Sequence, residues 1–501
     1  MNSKNKHTII VIILVFINIL IKGLFLSSNS LAGDEPFSVY FAQMDIGSII
    51  KLLSEGNNPP LYEIILHFWI NIFGISEFSV RFPSLIFSCI TVLFIYKLAI
   101  KHLNKRVALY SSIIFIFSNY HILFAHEART YSLLGMLSII SMFYFLEVLI
   151  TLRKESNQHV NVSVKSKLLL VIDILIIYTH YFGFFILITQ FLFLLFNRNL
   201  FFKYWRQSLM CIGVIILFYT PNIIVFINRF LDSSTNGTWV KPPNGIDHIY
   251  NILRQLSNAP VVTALVILIF AGASIKYVIQ KKTKQNNQGS IFCVFWFVFI
   301  FFFMFGISYI VPMFMDRYLM PAAIAFSFVV AISADYIIKK TYFNYFIPSL
   351  ICILFISTVK PNITNKRNNK ETVLKIKEIK SANTIVYLCP SRHTLNFIYY
   401  FDIDSFKNYN TAYINKNILE FLNKSNIYPI DNYNQMDISL LKTFDKVIFL
   451  DAAADFSFPE NGILEQLKIT YTLNAQYHYD EIFNIYEFKM KNLQPNRQDP
   501  S

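Results

Sequence analysis

Residues 8–28 read TIIVIILVFINILIKGLFLSS, an almost unbroken apolar run. A helix needs about 20 mostly apolar residues to cross the roughly 30 Å of hydrocarbon in a bilayer, so this run is long enough to span a membrane. Just beyond it lies the pair Asp34-Glu35, at the position where lipid would meet water. A charge costs roughly 2.5–3.5 kcal/mol at the centre of an inserted helix. The pair is therefore either an ordinary charged pair at the membrane interface or part of an active site, as its acid.

Apolar runs of the same kind recur as far as residue 358. They predict about eleven crossings, at residues 8–28, 80–100, 107–125, 131–151, 167–180, 181–197, 208–228, 260–279, 291–311, 318–338 and 342–358. The runs 167–180 and 181–197 are short and are separated by Thr179-His180-Tyr181, which predicts two cramped spans or a re-entrant element. The predicted fold class is mainly α, a polytopic transmembrane helical bundle.

The composition agrees with this class and excludes others. The chain has 501 residues, of which 54% are hydrophobic and 15% charged, whereas soluble chains are roughly 25% charged. Its net charge of +14 does not predict nucleic-acid binding, because the basic residues are spread over short loops between apolar runs. Four of the five cysteines lie inside apolar runs, so no disulfide framework is expected.

The distribution of Lys and Arg predicts the orientation of the bundle. Alternate loops are rich in these residues and are therefore expected to be cytoplasmic; they carry Lys4, Lys6, Lys101, Lys105, Arg106, Arg153, Lys154, Lys165, Lys167, Arg198, Lys203, Arg206, Lys276, Lys281, Lys282, Lys284, Lys339 and Lys340. The intervening loops are poorer in Lys and Arg and hold the residues suited to chemistry. We expect a multi-pass protein of the cell membrane with an extracytoplasmic active site.

The composition changes at Pro361, and this change predicts a domain boundary. Residues 1–360 form the predicted transmembrane bundle with a large first outer loop at 29–79. Residues 361–501 alternate short β-rich runs such as 384–388 and 446–450 with helix-like stretches. They predict a soluble C-terminal α/β accessory domain, extracytoplasmic if the number of crossings is odd. The small residues 30–33 after the first run are typical of a signal-peptide cleavage site, but the loop pattern favours a retained first helix.

The outer loops contain the candidate site residues. The first loop holds Asp34-Glu35, the stretch Asn57-Asn58-Pro59-Pro60-Leu61-Tyr62 and an amphipathic stretch through Trp69. The segment 74–84 includes Gly74-Ile75-Ser76-Glu77 and Arg81-Phe82-Pro83-Ser84. The later loops contain His126-Glu127-Ala128-Arg129-Thr130-Tyr131, Thr179-His180-Tyr181, Lys241-Pro242-Pro243 and Asp316-Arg317-Tyr318-Leu319-Met320-Pro321.

At these residues the chain resembles the GT-C class of integral-membrane glycosyltransferases, specifically the dolichyl-phosphate-mannose protein mannosyltransferase and aminoarabinose transferase-like group (bacterial glycosyltransferase family 39-like). The resemblance covers residues 8–340. It implies a helical bundle that holds a polyprenyl-phosphate sugar donor and moves its sugar to an acceptor. The lipid A aminoarabinose transferases have a charged residue before the Pro-Pro pair, where this chain has Asn58, so their sugar and acceptor are not carried over.

The same roles follow from the chemistry of sugar transfer. Transfer from a lipid phosphate needs a base for the acceptor hydroxyl and cations for the departing phosphate. Asp34 is the predicted base with Glu35 as its helper; the alternative is an N-cap or an ordinary loop acid. Arg129 and Arg317 are the predicted phosphate ligands, unless they are interfacial residues or form struts to Glu127 or Asp316. Further donor-binding candidates are Tyr131, Tyr318, Glu127, His126, His180 and Lys241.

Two further hypotheses concern a metal and a lid. His126, Glu127 and His180 are candidate ligands for a divalent metal, because His and carboxylate suit zinc or manganese; hydrogen-bonded interfacial histidines are the alternative. Lys241, which follows Thr238-Trp239-Val240, is expected either in a mobile lid or in a plain loop.

The sequence thus favours an inverting hexosyl or pentosyl transferase with a polyprenyl-phosphate-sugar lipid donor. Its acceptor would be a lipid, a glycan or a protein on the outer side of the membrane, and no nucleic acid is expected as a partner. A polytopic transporter or glycolipid flippase is the alternative, but that class predicts inverted repeats with charges at mid-bilayer. A non-catalytic membrane subunit is also compatible with the sequence.

Overall fold

The computed structural model describes residues 3–54, 58–154, 164–235, 240–279, 288–337, 345–363, 366–407, 416–480 and 482–491. The chain divides into two compact units. The first comprises Met1–Leu26, Ile49–Trp69 and Phe78–Ile363, and the second comprises Ser27–Ser48, Ile70–Glu77 and Thr364–Ser501. The first outer loop of the sequence is therefore divided between the two units.

Helices dominate the described chain before Pro361. Their bounds are α1 (Ser3–Gly23), α2 (Glu35–Ala42), α3 (Ile46–Ser54), α4 (Leu61–Phe73), α5 (Glu77–His102), α6 (Lys105–Ile116), α7 (Asn119–Ala125), α8 (Tyr131–Lys154), α9 (Val164–Ile177), α10 (Phe184–Phe196), α11 (Arg198–Thr235), α12 (Gly245–Leu256), α13 (Pro260–Ile279), α14 (Gln288–Ile307), α15 (Met320–Ile337) and α16 (Phe346–Ser357). The 3₁₀ turns Tyr181–Gly183 and Asp316–Leu319 directly precede α10 and α15. Every predicted apolar run coincides with a helix, and the run 107–125 is divided between α6 and α7.

Seven of the described helices are long and apolar enough to cross a membrane. The pair α6 and α7 is bent by 59° and raises this number to eight if it forms one span. Three shorter apolar helices, Leu61–Phe73, Tyr181–Phe196 and Phe346–Ser357, do not reach the required length. The structure thus confirms a multi-pass helical bundle, while the count of about eleven crossings remains a prediction.

Charged side chains at one end of the first unit agree with the predicted sidedness. Glu147, near the end of α8, is buried and lies 2.5 Å from Lys101 Nζ and 2.7 Å from Lys165 Nζ. Lys101 lies in the last turn of α5, and Lys165 lies in the first turn of α9. The ends of three helices that the sequence assigns to the cytoplasmic side therefore meet at one carboxylate.

A reporter fusion tests the orientation. We expect a reporter that is active only outside the cytoplasm to be active when fused after Ser357 and inactive when fused after Lys282, because the lysines between 276 and 284 are expected to stay inside. A cytoplasm-dependent reporter at the same two positions serves as the control and should show the reverse. The opposite pattern for both reporters would place Asp34 on the cytoplasmic side and overturn the site argument.

The second unit contains a five-stranded mixed sheet. Its strands are β1 (Thr384–Cys389), β2 (Ile427–Pro429), β3 (Lys446–Ala452), β4 (Tyr471–Tyr479) and β5 (Phe483–Met490), in the order β2-β1-β3-β5-β4. β1 pairs in parallel with β2 and β3, whereas β5 pairs in antiparallel with β3 and β4. β1 is buried along its whole length, as expected for a strand covered on both faces.

Short helices complete this unit. They are α17 (Asn369–Ile379), α18 (Thr394–Phe401), α19 (Ile403–Lys407), α20 (Lys416–Lys424), α21 (Ile438–Leu441), α22 (Ala454–Ser457) and α23 (Ile463–Thr470). The core of the sheet includes Ile385, Val447, Phe449 and Phe488, all almost fully buried. This arrangement confirms the predicted α/β fold of the C-terminal region.

Candidate active site

Asp34 and Glu35 have different environments, although they are adjacent in sequence. Asp34 is exposed, while Glu35 is only 3% exposed. Glu35 Oε2 accepts a hydrogen bond from the backbone N–H of Ala32 at 3.2 Å. Asp34 stands at the N-cap position of α2, but its side chain makes no capping hydrogen bond. Of the two carboxylates, Asp34 is thus the one that an incoming hydroxyl can reach.

The turn that presents Asp34 is held by side chains from the C-terminal part of the same unit. Asn369 Nδ2 donates to the carbonyl of Leu31 at 2.8 Å, and Asn396 Nδ2 donates to the carbonyl of Gly33 at 3.1 Å. The backbone N–H of Leu31 donates to Tyr400 Oη at 2.6 Å. α17 and α18 therefore fix the backbone on which Asp34 stands.

Gly33 is required by this turn. Its φ is +58°, a left-handed conformation that side chains with a Cβ rarely adopt. A Cβ at this position would lie 2.2 Å from Arg367 Nη1. Arg367 Nη1 is the far end of a flexible, exposed side chain that can move aside, so the positive φ is the reason for a glycine immediately before Asp34.

Glu147 lies where one end each of α5, α8 and α9 meet. Hydrogen bonds in the first unit also connect the other ends of these three helices. Ser84 Oγ, near the start of α5, donates to the carbonyl of Glu127 at 2.7 Å. Thr130 Oγ1 donates to the carbonyl of Thr179 at 2.9 Å. The backbone N–H of Leu61 donates to the carbonyl of Tyr178 at 3.1 Å. The segments around residues 61, 127–130 and 178–180, which the sequence predicts to be on the outer side, are thus held together.

Arg129 projects from this junction with a buried carboxylate beside it. Its Nη1 lies 4.0 Å from Oε1 of Glu63, and the two side chains are 11% and 3% exposed. Glu63 belongs to α4, whose predicted amphipathic character did not single it out. The sequence did carry one signal for it, since Glu63 is the single acid in the mainly apolar helix that runs from Leu61 to Phe73.

Arg317 approaches the same group of residues from a different part of the chain. Its Cζ lies 5.9 Å from the centre of the Tyr131 ring. The His180 ring lies 6.0 Å from that of Tyr131 and 5.8 Å from that of Tyr318. Arg129, two residues before Tyr131, acts electrostatically on His180 as Arg317 does. The structure therefore brings together five of the predicted donor-binding residues, Arg129, Tyr131, His180, Arg317 and Tyr318. We call these five residues the cationic cluster.

His180 is neutral in the folded protein. Burial, and then the positive charges of Arg129 and Arg317, lower the pKa of His180 to about 3. Its Nδ1 accepts a hydrogen bond from the backbone N–H of Phe182 at 3.2 Å. Because one ring nitrogen is the acceptor, the proton of the neutral ring is on Nε2. His180 Nε2 is thus a hydrogen-bond donor that adds no charge to the cluster.

The pKa of His180 predicts a dependence of stability on pH. A histidine in the unfolded chain has a pKa near 6.5, so the unfolded state binds one more proton between about pH 6.5 and about pH 3. Stability therefore falls as the pH is lowered through this window. In His180→Asn the Oδ1 atom replaces Nδ1 as acceptor and nothing titrates. We expect the melting temperature in detergent to fall less between about pH 7 and about pH 5 for this variant than for the wild type.

The exposed His478 offers a matched control for this measurement. His478→Asn should show the wild-type decrease in melting temperature. An equal decrease for wild type and for His180→Asn would show that His180 is not held neutral.

The metal hypothesis gains no support in the described part of the chain. No group of three or more His, Cys, Asp or Glu residues is placed there so as to hold a metal ion. His126 is buried, and its Nε2 lies 2.7 Å from the carbonyl of Lys22. Together with the bond at His180 Nδ1, this contact matches the alternative of hydrogen-bonded histidines. Glu127 is half-buried in the same loop.

The predicted lid is only partly described. Thr238 and Trp239 lie outside the described residues. Lys241 is exposed and precedes α12. Its assignment to donor binding remains a prediction.

Comparison with known proteins places this geometry in a familiar fold. The family model of dolichyl-phosphate-mannose-protein mannosyltransferase matches residues 57–225, and no curated protein matches the chain. The crystal structure of ArnT from Cupriavidus metallidurans bound to undecaprenyl phosphate has a TM-score of 0.56 and 9% identity, over 97% of this chain and 98% of that chain.

A second solved structure has a fold similar to that of this chain. The oligosaccharyltransferase AglB from Archaeoglobus fulgidus, in complex with an inhibitory peptide and a dolichol-phosphate, has a TM-score of 0.55 and 11% identity. The match covers 99% of this chain and 75% of that chain. The resemblance inferred from the motifs is confirmed, and the chain has the fold of the GT-C membrane glycosyltransferases.

Proposed function

We propose that this protein transfers a sugar from a polyprenyl-phosphate donor to an acceptor on the outer side of the cytoplasmic membrane. The observation that carries the proposal is the cationic cluster, in which Arg129 and Arg317 come from separate segments of the chain and meet around the rings of Tyr131 and His180. Two guanidinium groups around a neutral hydrogen-bond donor suit a phosphate, because guanidinium binds phosphate oxygens by paired hydrogen bonds.

The contacts of the cluster support a site prepared for an anion. Glu63 beside Arg129 limits the repulsion between the two half-buried cations. Arg317 lies near the face of Tyr131, which orients a guanidinium without neutralising it. His180 is neutral, so its Nε2–H adds a hydrogen bond to the phosphate at no cost in charge repulsion.

The donor class is supported by the relatives. One of the similar structures is bound to undecaprenyl phosphate and another to a dolichol-phosphate, and both ligands are polyprenyl phosphates. The matching family model is named for an enzyme that uses dolichyl-phosphate-mannose. A donor that combines a lipid tail, a phosphate and a sugar fits a helical bundle that carries arginines at its outer end.

We assign the base to Asp34. The oxygen of the acceptor hydroxyl attacks the anomeric carbon, its proton goes to the Asp34 carboxylate, and the bond to the phosphate oxygen breaks with its electron pair staying on the phosphate. A single displacement of this kind inverts the anomeric centre. Glu35, buried and bonded to the N–H of Ala32, acts as a positioning residue for the turn.

The test is a transfer assay with the purified full chain. The protein in detergent is mixed with a radiolabelled polyprenyl-phosphate sugar and with extracted membrane lipids and glycans as acceptors. We expect the label to leave the lipid phosphate and to appear in a new product. In proteoliposomes, movement of intact donor between leaflets without cleavage would instead identify a flippase and overturn the proposal. Absence of both activities with a panel of hexosyl and pentosyl donors would favour a non-catalytic subunit.

A further inference from the structure

The second unit contains a cleft that the transfer reaction does not use. Its volume is about 400 Å³, within the roughly 300–1,000 Å³ of small-molecule sites. It lies beyond the carboxyl ends of β1 and β2, and Tyr387, Tyr428 and Asp431 are among its lining residues.

The wall of the cleft is built from two joined loops. The loop after β1 contains Ser391, and the loop after β2 contains Asp431. The Asp431 carboxylate accepts hydrogen bonds from Ser391 N at 2.8 Å and from Ser391 Oγ at 3.1 Å. Gln435 Oε1 in turn accepts a hydrogen bond from Asp431 N at 2.6 Å. These bonds hold both loops in place around the cavity.

The polar groups that line the cleft suit a ligand rich in hydroxyl groups. Asn423, near the end of α20, contributes an exposed amide, and Gln435 retains its NH₂ donors because its bond to Asp431 uses only the oxygen. Asp437 contributes a carboxylate of which Oδ1 caps α21. The rings of Tyr387 and Tyr428 lie 6.2 Å apart at an angle of 42°. Amide, carboxylate and phenol groups together offer both donors and acceptors to hydroxyls.

The charge of the lining argues against an anionic ligand. Among the described residues, the cavity is lined by two aspartates and by no Lys, Arg or His. A phosphate or a nucleotide would therefore meet carboxylates without a compensating cation. The segment after β1 also lacks the glycine-rich turn with which doubly wound sheets bind phosphate.

We propose that this cleft binds a short neutral glycan. The inference goes beyond the proposed transfer reaction, because it follows from the lining of the cleft alone. It gives the C-terminal unit a saccharide-binding role in addition to its support of the Asp34 turn.

Saturation-transfer NMR on the full-length protein tests the proposal. The probes are mannotetraose, chitotetraose and maltotetraose, with glucose 6-phosphate as an anionic probe. An amine-oxide detergent is used, since sugar-based detergents would compete for the cleft. We expect at least one tetrasaccharide to show saturable binding and glucose 6-phosphate to show none.

Two single substitutions locate the binding. Asn423→Ala removes an exposed amide, and Tyr428→Phe removes one hydroxyl while keeping the ring. Each is expected to weaken binding about tenfold, the effect of one lost hydrogen bond in a polar cleft. Tyr433→Phe is the matched control, because Tyr433 is exposed in the same unit and does not line the cavity. It should bind as the wild type does.

The outcomes separate this proposal from the transfer reaction. Arg317→Ala should lose transfer and keep tetrasaccharide binding. Tetrasaccharide binding by a wild-type protein that shows no transfer activity would support saccharide binding in the cleft and overturn the proposed function. Absence of binding for all three tetrasaccharides would overturn the proposal that the cleft binds a glycan. Equal binding by wild type, Asn423→Ala and Tyr428→Phe would overturn it as well.

Discussion

Asp34→Asn is expected to lower the rate of sugar transfer by roughly 10²- to 10⁴-fold, the contribution of a positioned general base. Asparagine has nearly the same size and does not take up the acceptor proton at neutral pH. Asp34 is exposed and its side chain does not cap α2, so the substitution should leave folding and donor binding intact. The measurement is the rate of transfer at saturating donor, together with donor binding by the same detergent-solubilised variant.

The first outer loop offers a matched control. Asp45 is also an exposed aspartate, and its carboxylate accepts a hydrogen bond from Ser48 N at 3.0 Å. Since asparagine caps a helix about as well as aspartate, Asp45→Asn should keep full transfer. Glu35→Gln should keep most of it, because an amide oxygen can still accept from the N–H of Ala32. Wild-type transfer by Asp34→Asn would exclude Asp34 as the base and transfer the role to Glu35 or Glu127.

The helical bundle could be predicted from the sequence because its physics is local. An apolar run of about 20 residues has to satisfy its backbone hydrogen bonds internally in lipid, and only a helix does so within one segment. Alternating Lys and Arg then order the loops by side. This ordering was sufficient to group His180, Arg129 and Arg317, which the structure places around one another.

The support of the Asp34 turn was not predictable in this way. Asn369 and Leu31 are bonded across 338 positions of the chain, and no local periodicity encodes such a contact. The composition change at Pro361 indicated a separate domain, yet the compact unit that contains this region also contains residues 27–48 and 70–77. A boundary drawn from composition follows the chain, whereas packing follows contacts in space.

Glu63 shows a different reason for a missed residue. The sequence predicted only an amphipathic stretch through Trp69, and Glu63 was not among the candidate residues. Glu63 is 3% exposed, and a buried carboxylate needs a partner. The presence of Arg129 beside it depends on how α4 packs against the loop that precedes α8. The sequence could indicate that such a partner exists but not which arginine it is.

The second large effect concerns the phosphate ligands. We expect Arg317→Ala and Arg129→Ala each to lower transfer by roughly 10²- to 10³-fold, the effect of removing one donor that stabilises a developing negative charge. Lysine keeps the charge but loses the planar fork of donors, so Arg317→Lys and Arg129→Lys should still be impaired, though less than the alanine variants. Donor binding should weaken as well, because the phosphate is present in the ground state.

Replacement of the two arginines should differ in its effect on stability, and this difference tests their assignment as phosphate ligands. Arg129 has Glu63 at 4.0 Å, and both side chains are largely buried. Arg129→Ala therefore leaves a buried carboxylate without that cation and should also lower the melting temperature, whereas Arg129→Ala combined with Glu63→Gln should recover stability without recovering transfer. The exposed Arg254 of α12 is the control, and Arg254→Lys should retain full activity. Recovery of transfer in the double variant would assign Arg129 to a structural strut with Glu63, where the sequence had suggested Glu127 or Asp316, and would leave Arg317 as the phosphate ligand.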